Sequence, residues 1–450
     1  MAHEIERADV ALVYPFFLSE SGRKRQYLYP QLGLGSIAAY LKSQGITVAL
    51  VDGTFSTRDA VVDRVRRLRP GVVGVYSKIT VAEPAIDIAR RLKGEARLVV
   101  GGPHATSTPK DFLDDFEVVV HGEGEITMAE LAARMLNGKP YGDVAGISYR
   151  TGDAVTRNPG RPLVADLDSL PAPDRGLFEN ERYQSRSLKE FGFKSGSIIT
   201  ARGCPYQCEY CSKTVFGDTY RTVSADRVIE EMREVTALGY QEIWFADDVF
   251  SLKRSRTIDL CEAMVRSGVK IPWTCLCRVD NVDREMLLLM KAAGCRGVIF
   301  GIESLSDDVL GLMNKRFTAE QAIRALEVAR STGLEVSSYF MVGYLGDTRE
   351  SIRKTVNMSS SLPFHSVQYA IPKPLAGTGL AKRLESELGI AKWRNWQSTL
   401  TWKSKFSQRM LRVAITKGDT QFRLRRRLGS RGRVITELYR RVTDRLLDLL

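Results

Sequence analysis

The sequence of 450 residues predicts an α/β protein made of two successive βα arrays and a helical end. Short apolar runs alternate with amphipathic segments over residues 1–140, and the same alternation resumes over residues 196–390. A proline-rich connector is predicted at residues 141–195, and a basic helical C-terminal region at residues 391–450. Because 44% of the residues are apolar, the chain can give each array an ordinary hydrophobic core.

The first array is predicted to contain five strands, each followed by a helix. The predicted strands are Val10–Pro15, Thr47–Asp52, Gly71–Ser77, Arg97–Gly102 and Phe116–His121. The predicted helices are Gly35–Ser43, Thr57–Leu68, Val81–Leu92, Pro109–Asp115 and Ile126–Leu136. This pattern predicts an open parallel sheet with helices on both faces, in a flavodoxin-like, Rossmann-type arrangement.

Parallel sheets of this kind bind ligands beyond the carboxyl ends of their strands. Small and polar residues collect at these ends, and the glycines among them let a large ligand approach the backbone closely. The candidate ligand-binding residues here are Ser77, Gly101, Gly102, His104, Gly122 and Glu123. Since many functions share this fold, the sheet alone does not identify the ligand.

The second array follows a predicted hairpin at residues 146–156 and a stretch that several prolines interrupt. Its predicted strands are Ser197–Thr200, Glu242–Asp247, Trp273–Val279, Gly297–Gly301, Val336–Val342 and Ser366–Ile371. Six βα units form a partial (β/α)6 version of the eight-stranded barrel, in which functional residues follow the carboxyl ends of the strands.

Three cysteines follow the first strand of this second array. Cys204, Cys208 and Cys211 have the spacing Cys-x3-Cys-x2-Cys. Thiolates this close together can hold three irons of a four-iron–four-sulfur cluster and leave the fourth iron open. A structural zinc ion requires four ligands, usually from paired clusters, and a dithiol motif does not explain the third cysteine. The spacing therefore predicts a [4Fe-4S] cluster bound by these three residues.

The other cysteines do not repeat this spacing; they are Cys261, Cys275, Cys277 and Cys295. Two of them, Cys275 and Cys277, share one face of a predicted strand and could join a second cluster. The alternative is that they act as small buried hydrophobic side chains. An odd number of cysteines is not typical of a secreted disulfide framework, and the sequence shows no leader peptide or membrane-spanning run, so we expect a cytoplasmic protein.

The cysteine motif resembles the signature of the radical S-adenosylmethionine (SAM) superfamily. The segments 30–40, 101–106 and 121–127 resemble the cobalamin-binding domain that precedes many radical SAM domains. Over about residues 8–390, the chain is similar to cobalamin-dependent radical SAM enzymes. The resemblance implies three cofactors, namely the [4Fe-4S] cluster, SAM at its open iron, and cobalamin at the first sheet.

One departure from cobalamin proteins concerns the cobalt ion. Cobalamin mutases and methionine synthase use an Asp-x-His-x-x-Gly motif whose histidine binds cobalt. None of the histidines of this chain follows an aspartate at that spacing; they are His3, His104, His121 and His365. We therefore expect the lower face of cobalt to lack a protein histidine, while His104 and His121 either touch the cofactor's periphery or only order their loops.

The resemblance also implies SAM-binding roles for residues at the strand ends of the second array, and these are Asp247, Asp248, Arg278, Glu303, Ser304 and Gly343. Asp247 and Asp248 would accept hydrogen bonds from the SAM amino group, although an Asp-Asp pair also starts helices. Glu303 would orient SAM, and Gly343 lies in a segment similar to the adenine-binding backbone. Arg278 either pairs with the SAM carboxylate or forms a structural ion pair.

The implied reaction is methylation of an unactivated carbon in a small-molecule, lipid or tetrapyrrole substrate. In such enzymes a 5′-deoxyadenosyl radical takes a hydrogen atom from the substrate, and the resulting carbon radical takes a methyl group from methylcobalamin. Two alternatives are a non-methylating oxidoreductase or cyclase of the same family, and a cluster- or cobalamin-binding sensor with a nucleic-acid-binding tail. The enzyme interpretations require a one-electron donor such as flavodoxin or ferredoxin, and no side chain is assigned a catalytic role.

The C-terminal region carries nearly all of the net charge. Residues 391–450 contain sixteen Lys or Arg and four Asp or Glu, a balance of +12 in a chain whose total is +13. An apolar stripe at helical spacing follows, consisting of Val434, Ile435, Leu438, Tyr439, Val442, Leu446 and Leu449. The pattern fits an anionic membrane surface at the inner face of the membrane. The alternatives are a helix docked on the barrel and, less favoured, binding to nucleic acid.

Overall fold

The computed structural model describes residues 7–21, 27–388, 406–429 and 433–449. The chain forms two compact units. The first contains the described residues up to 205 together with 212–243, and the second contains 206–211 and the described residues from 244 onward. The predicted boundary between residues 390 and 391 lies outside the described residues.

A seven-stranded sheet forms the centre of the first unit. Its strands are β1 (Val10–Tyr14), β2 (Val48–Asp52), β3 (Val72–Tyr76), β4 (Arg97–Gly101), β5 (Val118–Val120), β6 (Ile147–Thr151) and β7 (Ala154–Arg157). The order is β2-β1-β3-β4-β5-β6-β7, with β1 to β5 parallel and β6 and β7 antiparallel. The order of the first five strands confirms the flavodoxin-like prediction. The hairpin predicted in the connector is present as β6 and β7, and it extends this sheet.

Helices cover both faces of the sheet because its strands are apolar on both sides. The helices of this part are α1 (Leu32–Ser43), α2 (Arg58–Leu68), α3 (Ala82–Arg91), α4 (Pro103–Ser107) and α5 (Glu125–Leu136). Along β1, Ala11 and Val13 pack in the core under α2 and α3, whereas Val10 and Leu12 pack in the core under α1 and α5. The sheet is thus buried on both faces, as the continuous apolar runs predict.

One predicted helix is wrong. The chain forms helix α4 immediately after β4, and the predicted helix Pro109–Asp115 is only a 3-10 turn at Pro109–Asp111. Pro103 occupies the first turn of α4, where its fixed φ favours a helix start. Thr108 precedes Pro109 and has φ −134°, because a residue before proline is disfavoured in helical geometry.

The rest of the first unit leads into the second array. Its elements are α6 (Asn180–Phe191), β8 (Ser195–Ile198), β9 (Ala201–Arg202), β10 (Arg221–Thr222) and α7 (Ala225–Ala237), followed by β11 (Glu242–Phe245) at the boundary of the units. The backbone oxygen of Lys194, just before β8, accepts hydrogen bonds from the amides of Gln241 and Glu242. The starts of β8 and β11 therefore lie side by side.

The second unit continues the βα alternation. Its elements are α8 (Arg254–Ser267), β12 (Trp273–Cys277), α9 (Arg284–Ala292), β13 (Cys295–Glu303), α10 (Asp307–Leu312), α11 (Ala319–Ser331), β14 (Glu335–Met341), α12 (Arg349–Ser361), β15 (Ser366–Ala370) and α13 (Gly379–Leu388). The strand order is β15-β14-β13-β12-β11, and β12 to β15 pair in parallel. Together with β8 of the first unit, these strands account for all six strands predicted for the partial barrel.

Two helices complete the described chain, α14 (Gln408–Leu428) and α15 (Arg433–Leu449). Met410, Leu411 and Ala414 of α14 share a core with Ile352 of α12 and Leu447 of α15. The predicted helical C-terminal region is thus confirmed for the part that the structure describes. Among all the residues that the structure describes, no helix combines the length and the apolar composition needed to cross a bilayer.

Candidate cofactor-binding site

The cysteine loop starts from a narrow base in the first unit. The antiparallel pairing of Arg202 with Arg221 brings the two ends of the loop together. Gly203 has φ +85°, and a Cβ atom there would stand 2.2 Å from the backbone oxygen of Thr219. Only glycine fits this conformation and this close approach, so the backbone before Cys204 requires a glycine. The amide of Cys204 then donates to the backbone oxygen of Gly217, at 3.4 Å.

The two later cysteines lie in a tight turn of the second unit. The amide of Cys211 donates to the backbone oxygen of Cys208, at 3.1 Å. Between them, Glu209 accepts a hydrogen bond of 2.8 Å from the hydroxyl of Tyr344 and pairs with Arg383 at 2.5 Å. These contacts fix the turn through the side chain of Glu209.

The motif cysteines are accessible thiols. Cys211 is exposed, and Cys204 and Cys208 are half-buried. The eight residues from Cys204 to Cys211 keep the three thiols on one short segment. Among the described residues, no three potential ligands converge as a single metal ion requires. Three thiolates at this spacing suit a [4Fe-4S] cluster with one open iron, whereas a structural zinc ion requires four ligands, so this donor set fits the cluster better than zinc.

The other four cysteines are in a different environment. Cys261, Cys275, Cys277 and Cys295 are all buried. The Sγ atoms of Cys275 and Cys277 stand 3.6 Å apart on one face of β12, as period-two alternation predicts. Burial raises the pKa of Cys261 and of Cys275 above the ordinary range, so these thiols resist becoming thiolate ligands. Their surroundings favour the interpretation as hydrophobic side chains over a second cluster.

Arg278, which follows β12, contacts one of the motif thiols. Its Nη1 donates to Sγ of Cys208 at 3.7 Å, while Nε and Nη2 donate to the carboxylate of Asp280 at 2.9 and 2.8 Å. Nη2 also donates to the backbone oxygen of Lys315 at 2.6 Å, and the guanidinium lies 3.6 Å from the ring centre of Tyr206. Arg278 thus forms an ion pair and a thiol contact that the sequence did not indicate, and its pairing with the SAM carboxylate stays a prediction.

Glu303 takes part in a buried triad with Tyr210 and Lys315. Tyr210 donates to Oε1 of Glu303 at 3.1 Å, Lys315 Nζ donates to the Tyr210 hydroxyl at 3.2 Å, and Lys315 stands 3.8 Å from Glu303. Burial raises the pKa of Glu303 more than Lys315 and Tyr210 lower it. Because Tyr210 lies between Cys208 and Cys211, the triad ties the cysteine turn to the end of β13.

The remaining predicted SAM-binding residues occupy separate strand ends. Asp247 is buried and Asp248 is exposed, so only one of the two faces the interior. Ser304 is buried, and its hydroxyl lies 3.3 Å from that of Thr355. The amide of Gly343 donates to Asp347 at 2.9 Å. Sequence reasoning did not identify Asp347, although an aspartate four residues after a glycine-rich strand end is a usable signal for such a backbone contact.

Four residues predicted at the edge of the first sheet are brought together. The amide of Ser77 donates to the oxygen of Gly101 at 2.7 Å, and the amide of His104 donates to the oxygen of Ser77 at 3.2 Å. Gly102 has φ +107°, and a Cβ there would stand 2.6 Å from the oxygen of Ser77. The buried hydroxyl of Ser77 has no hydrogen-bond partner among the described residues. A glycine-lined edge with one orphaned hydroxyl fits a bulky polar cofactor such as cobalamin.

The two histidines at this edge are held neutral. Burial lowers the pKa of His104 and of His121 to about 4. His121 Nε2 and the Ser148 hydroxyl form a 2.8 Å hydrogen bond, which ties that ring to the hairpin. The amide of Gly122 donates to Thr106 at 3.3 Å. The His121 hydrogen bond thus orders its loop, and contact of either histidine with the cofactor's periphery stays a prediction.

Glu123 belongs to an ionic network of the first unit, defined here as Glu123, Glu125, Arg202 and Arg221. Glu123 accepts from Arg202 at 2.9 Å and from Arg221 at 2.9 and 3.0 Å, while Glu125 pairs with Arg202 at 2.7 Å. Burial acts to raise the pKa of Glu123, but the hydrogen bonds from Arg221 and Arg202 outweigh it and hold the pKa below its usual value. The network fastens both ends of the cysteine loop to the carboxyl end of β5.

Comparisons with known proteins agree with this architecture. Residues 198–358 match the radical SAM superfamily, and residues 22–132 match the B12 binding domain. An uncharacterised methyltransferase of Pyrococcus horikoshii is 33% identical over 83% of this chain and 81% of its own length. The anaerobic magnesium-protoporphyrin IX monomethyl ester cyclase of Rubrivivax gelatinosus is 28% identical over 80% of this chain and 67% of its own length.

A solved structure shares the fold. The radical SAM methyltransferase TsrM of Kitasatospora setae, described with cobalamin and a [4Fe-4S] cluster bound, has a TM-score of 0.70 at 21% identity. The match covers 84% of this chain and 75% of TsrM. The family expected from the cysteine motif and from the glycine-rich strand ends is thereby confirmed. The chain belongs to the radical SAM superfamily, among its enzymes that carry an N-terminal B12-binding domain.

Proposed function

We propose that this protein is a cobalamin-dependent radical SAM methyltransferase that acts on an unactivated carbon of a small-molecule, lipid or tetrapyrrole substrate. The observation that carries the proposal is the combination, in one chain, of an accessible Cys-x3-Cys-x2-Cys loop and a B12-type sheet. The 33% identity to a methyltransferase over 83% of the chain supports methyl transfer as the reaction. In this proposal residues 1–140 bind cobalamin and residues 196–390 bind the cluster and SAM.

The three motif thiols are the proposed cluster ligands. They are the accessible cysteines of the chain, and the guanidinium of Arg278 lies next to Cys208. Glu209 and the triad of Glu303, Tyr210 and Lys315 hold the turn that carries Cys208 and Cys211. The proposed role of these residues is to position the two cysteines. The turn is therefore ordered by side-chain contacts as well as by the cluster.

The proposed cobalamin contacts are the backbone and the hydroxyl at the edge of the first sheet. Ser77 offers an orphaned buried hydroxyl, and Gly101 and Gly102 expose the backbone without side chains. The imidazole ring of His104 is neutral, and Nε2 of His121 is already hydrogen-bonded to the Ser148 hydroxyl. These residues would bind the periphery of the corrin, and none of them would replace a lower axial ligand.

The bound cofactors supply reductive SAM cleavage and methyl transfer, and the residues of the chain bind, orient and exclude water. Asp247, buried at the end of β11, is the proposed acceptor for the SAM amino group. Gly343 presents backbone for the adenine, since Asp347 fixes its amide at 2.9 Å. We also propose an electron donor such as flavodoxin or ferredoxin, which would approach the exposed Cys211 side of the loop.

An oxidative cyclisation is the second candidate function. The observation that favours it is the 28% identity to a magnesium-protoporphyrin cyclase over 80% of this chain. A methyltransferase product gains the mass of one methylene group, whereas an oxidative cyclisation adds none. The two reactions therefore differ in product mass even when both consume SAM.

The deciding experiment is anaerobic reconstitution of the full chain with iron, sulfide and cobalamin, followed by mass spectrometry with candidate substrates. We expect reductant-dependent 5′-deoxyadenosine together with a product heavier by one methylene group. The label of methyl-deuterated SAM should appear in that product. Reconstituted protein that retains no corrin would contradict methyl transfer. Cleavage of SAM with an unmethylated cyclic product would establish the second candidate instead.

A further inference from the structure

Helix α15 is fastened to the second unit by one of its sides. Leu447 is fully buried between α12 and α14. Asp444 pairs with the buried Lys417, and its Oδ2 accepts a hydrogen bond of 3.4 Å from the side-chain Nδ2 of Asn357. Arg349 donates to the backbone oxygen of Leu447. These contacts establish α15 as a docked helix, and they leave its other side to be explained.

That other side carries most of the predicted apolar stripe. Val434, Ile435, Leu438 and Val442 are 78%, 52%, 65% and 54% exposed. The stripe therefore does not form the docking face, contrary to the usual orientation of an amphipathic helix on a protein core. The side chains of Leu446 and Leu449, which extend the predicted stripe, lie outside the described set. A contiguous apolar face of this kind marks an interaction surface.

A groove of about 620 Å³ runs beside this face, between α12, α14 and α15. Ser360 and Gln421 lie at its inner wall, Leu438 lies on the α15 side, and Arg425 and Arg440 lie along it. Its volume falls in the range of ligand sites in proteins. We call it the α14–α15 groove.

The inner wall of the groove presents an unused hydrogen-bond donor. Gln421 is 1% exposed, and its Oε1 accepts a hydrogen bond of 3.0 Å from Ser360. Its Nε2 has no partner among the described residues. A buried amide nitrogen without a partner costs free energy, and an acceptor in the groove would remove that cost.

The groove is also positively charged. Arg425 lines the groove, and among the described residues its guanidinium has no ion-pair partner. Arg440 and Arg441 share one acid, because both donate to Oε1 of Glu437, at 2.8 and 3.3 Å. The lining of the groove thus includes three arginines, Arg425, Arg440 and Arg441, and one acid, Glu437. An oxyanion that accepts from several N–H groups is the ligand that such donors recognise.

We infer that the α14–α15 groove binds the phosphate headgroup of an anionic phospholipid, while the aliphatic side of α15 enters the adjacent membrane surface. Arg425 and Gln421 would donate to the phosphate, and Leu438 and Val442 would contact the acyl region. The inference commits to a lipid, because a free phosphate ion would leave the exposed aliphatic residues uncovered. The +12 balance of the C-terminal region agrees with an anionic leaflet.

The test is co-sedimentation of the full-length reconstituted protein with phosphatidylcholine vesicles that contain or lack phosphatidylglycerol. We expect binding only to the anionic vesicles, weakened by salt because exposed charges are screened. Arg425→Gln should weaken binding about fivefold. The matched control Arg423→Gln removes the same charge from an exposed site of the same helix, and it should weaken binding less. Leu438→Ser with Val442→Ser should weaken binding about tenfold, since both side chains are exposed before binding.

Four results would overturn the inference. Equal effects of Arg425→Gln and Arg423→Gln would show general electrostatics in place of a groove. Inorganic phosphate that competes as well as the vesicles would indicate a free-phosphate site. Tight RNA binding lost in the same variants would assign the surface to nucleic acid. Unchanged binding of the Leu438→Ser, Val442→Ser protein would remove the membrane-inserted face. Unchanged thermal unfolding shows that each variant folds, and none of these results depends on the proposed methyl transfer.

Discussion

Nη1 of Arg278 lies 3.7 Å from Sγ of Cys208, so a cation at the end of β12 contacts a proposed cluster ligand. The guanidinium is held in place by the Asp280 carboxylate and by the backbone oxygen of Lys315. Lys315 in turn reaches the Tyr210 hydroxyl, which places a second cation behind the same turn. Hydrogen bonds to the sulfurs are one of the means by which proteins set the reduction potential of a cluster.

Arg278→Gln should make the cluster harder to reduce. The reduced cluster is more negative, so loss of a cationic donor to Cys208 removes more stabilisation from the reduced state than from the oxidised state. We expect the midpoint potential to fall by about 40 mV, which is about 1 kcal/mol for one electron. Electron paramagnetic resonance during a redox titration measures this. Arg324→Gln, which loses an exposed pair with Glu320, is the control and should leave the potential unchanged. A rise in potential for Arg278→Gln would refute the assignment.

Cys208→Ala should abolish SAM cleavage and most iron binding. An open-site cubane needs three thiolates, and the loop contains no spare cysteine. The same substitution at Cys275 is the control, since that thiol is fully buried in β12. Cys275→Ala should keep the full iron content. Iron and sulfide analysis measures the cluster content, and quantification of 5′-deoxyadenosine measures SAM cleavage. Full SAM cleavage by the Cys208→Ala protein would contradict the cluster assignment.

Glu123→Gln should destabilise the first unit by about 3–5 kcal/mol, because it leaves Arg221 buried without an acid. Glu117→Gln is the matched control; the side chains of its pair with Arg97 are 37% and 40% exposed, and the pair should be worth about 0–1 kcal/mol. Denaturant unfolding followed by hydrogen exchange of the first unit measures both. A loss for Glu123→Gln no larger than the control's would mean that the ionic network contributes little.

The contribution of Glu123 should also depend on pH. Its pKa in the folded protein is held below the ordinary value, so its stabilisation is present above about pH 4.3 and is lost as pH falls through the lowered pKa. The difference in unfolding free energy between the original protein and Glu123→Gln should be constant near neutral pH. It should shrink in acid below about pH 4. A difference that grows as pH falls would have the wrong sign for this mechanism.

Bound cobalamin should lack a histidine ligand on cobalt. The chain has no Asp-x-His-x-x-Gly motif, and His121 is engaged with Ser148 at 2.8 Å. Electron paramagnetic resonance of the Co(II) form should show no nitrogen splitting from a protein imidazole. His104→Gln and His121→Gln should leave the spectrum unchanged. Imidazole splitting that disappears in either variant would contradict the prediction and identify the ligand.

The sequence by itself determined the order of the arrays and the cluster motif. Apolar runs of five or six residues separated by amphipathic segments specify parallel strands covered by helices, because local periodicity fixes which faces are buried. The spacing of Cys204, Cys208 and Cys211 is also local, and it specifies its chemistry without knowledge of the fold. The prediction of a helix at Pro109–Asp115 was wrong. The helix α4 forms earlier in the chain, and it ends before Pro109 because a residue that precedes proline disfavours helical geometry.

Only the tertiary structure decided which side chains meet. Arg278 and Cys208 are seventy residues apart, and Glu123 lies far from Arg202 and Arg221 in the chain, so no local pattern indicates these pairs. The stripe on α15 shows the same limit, since its periodicity predicts an amphipathic helix but not which face docks. The pairing of Lys417 with Asp444 and the burial of Leu447 settle that choice. Burial and long-range electrostatics are properties of packed elements, and they appear only when the elements are assembled.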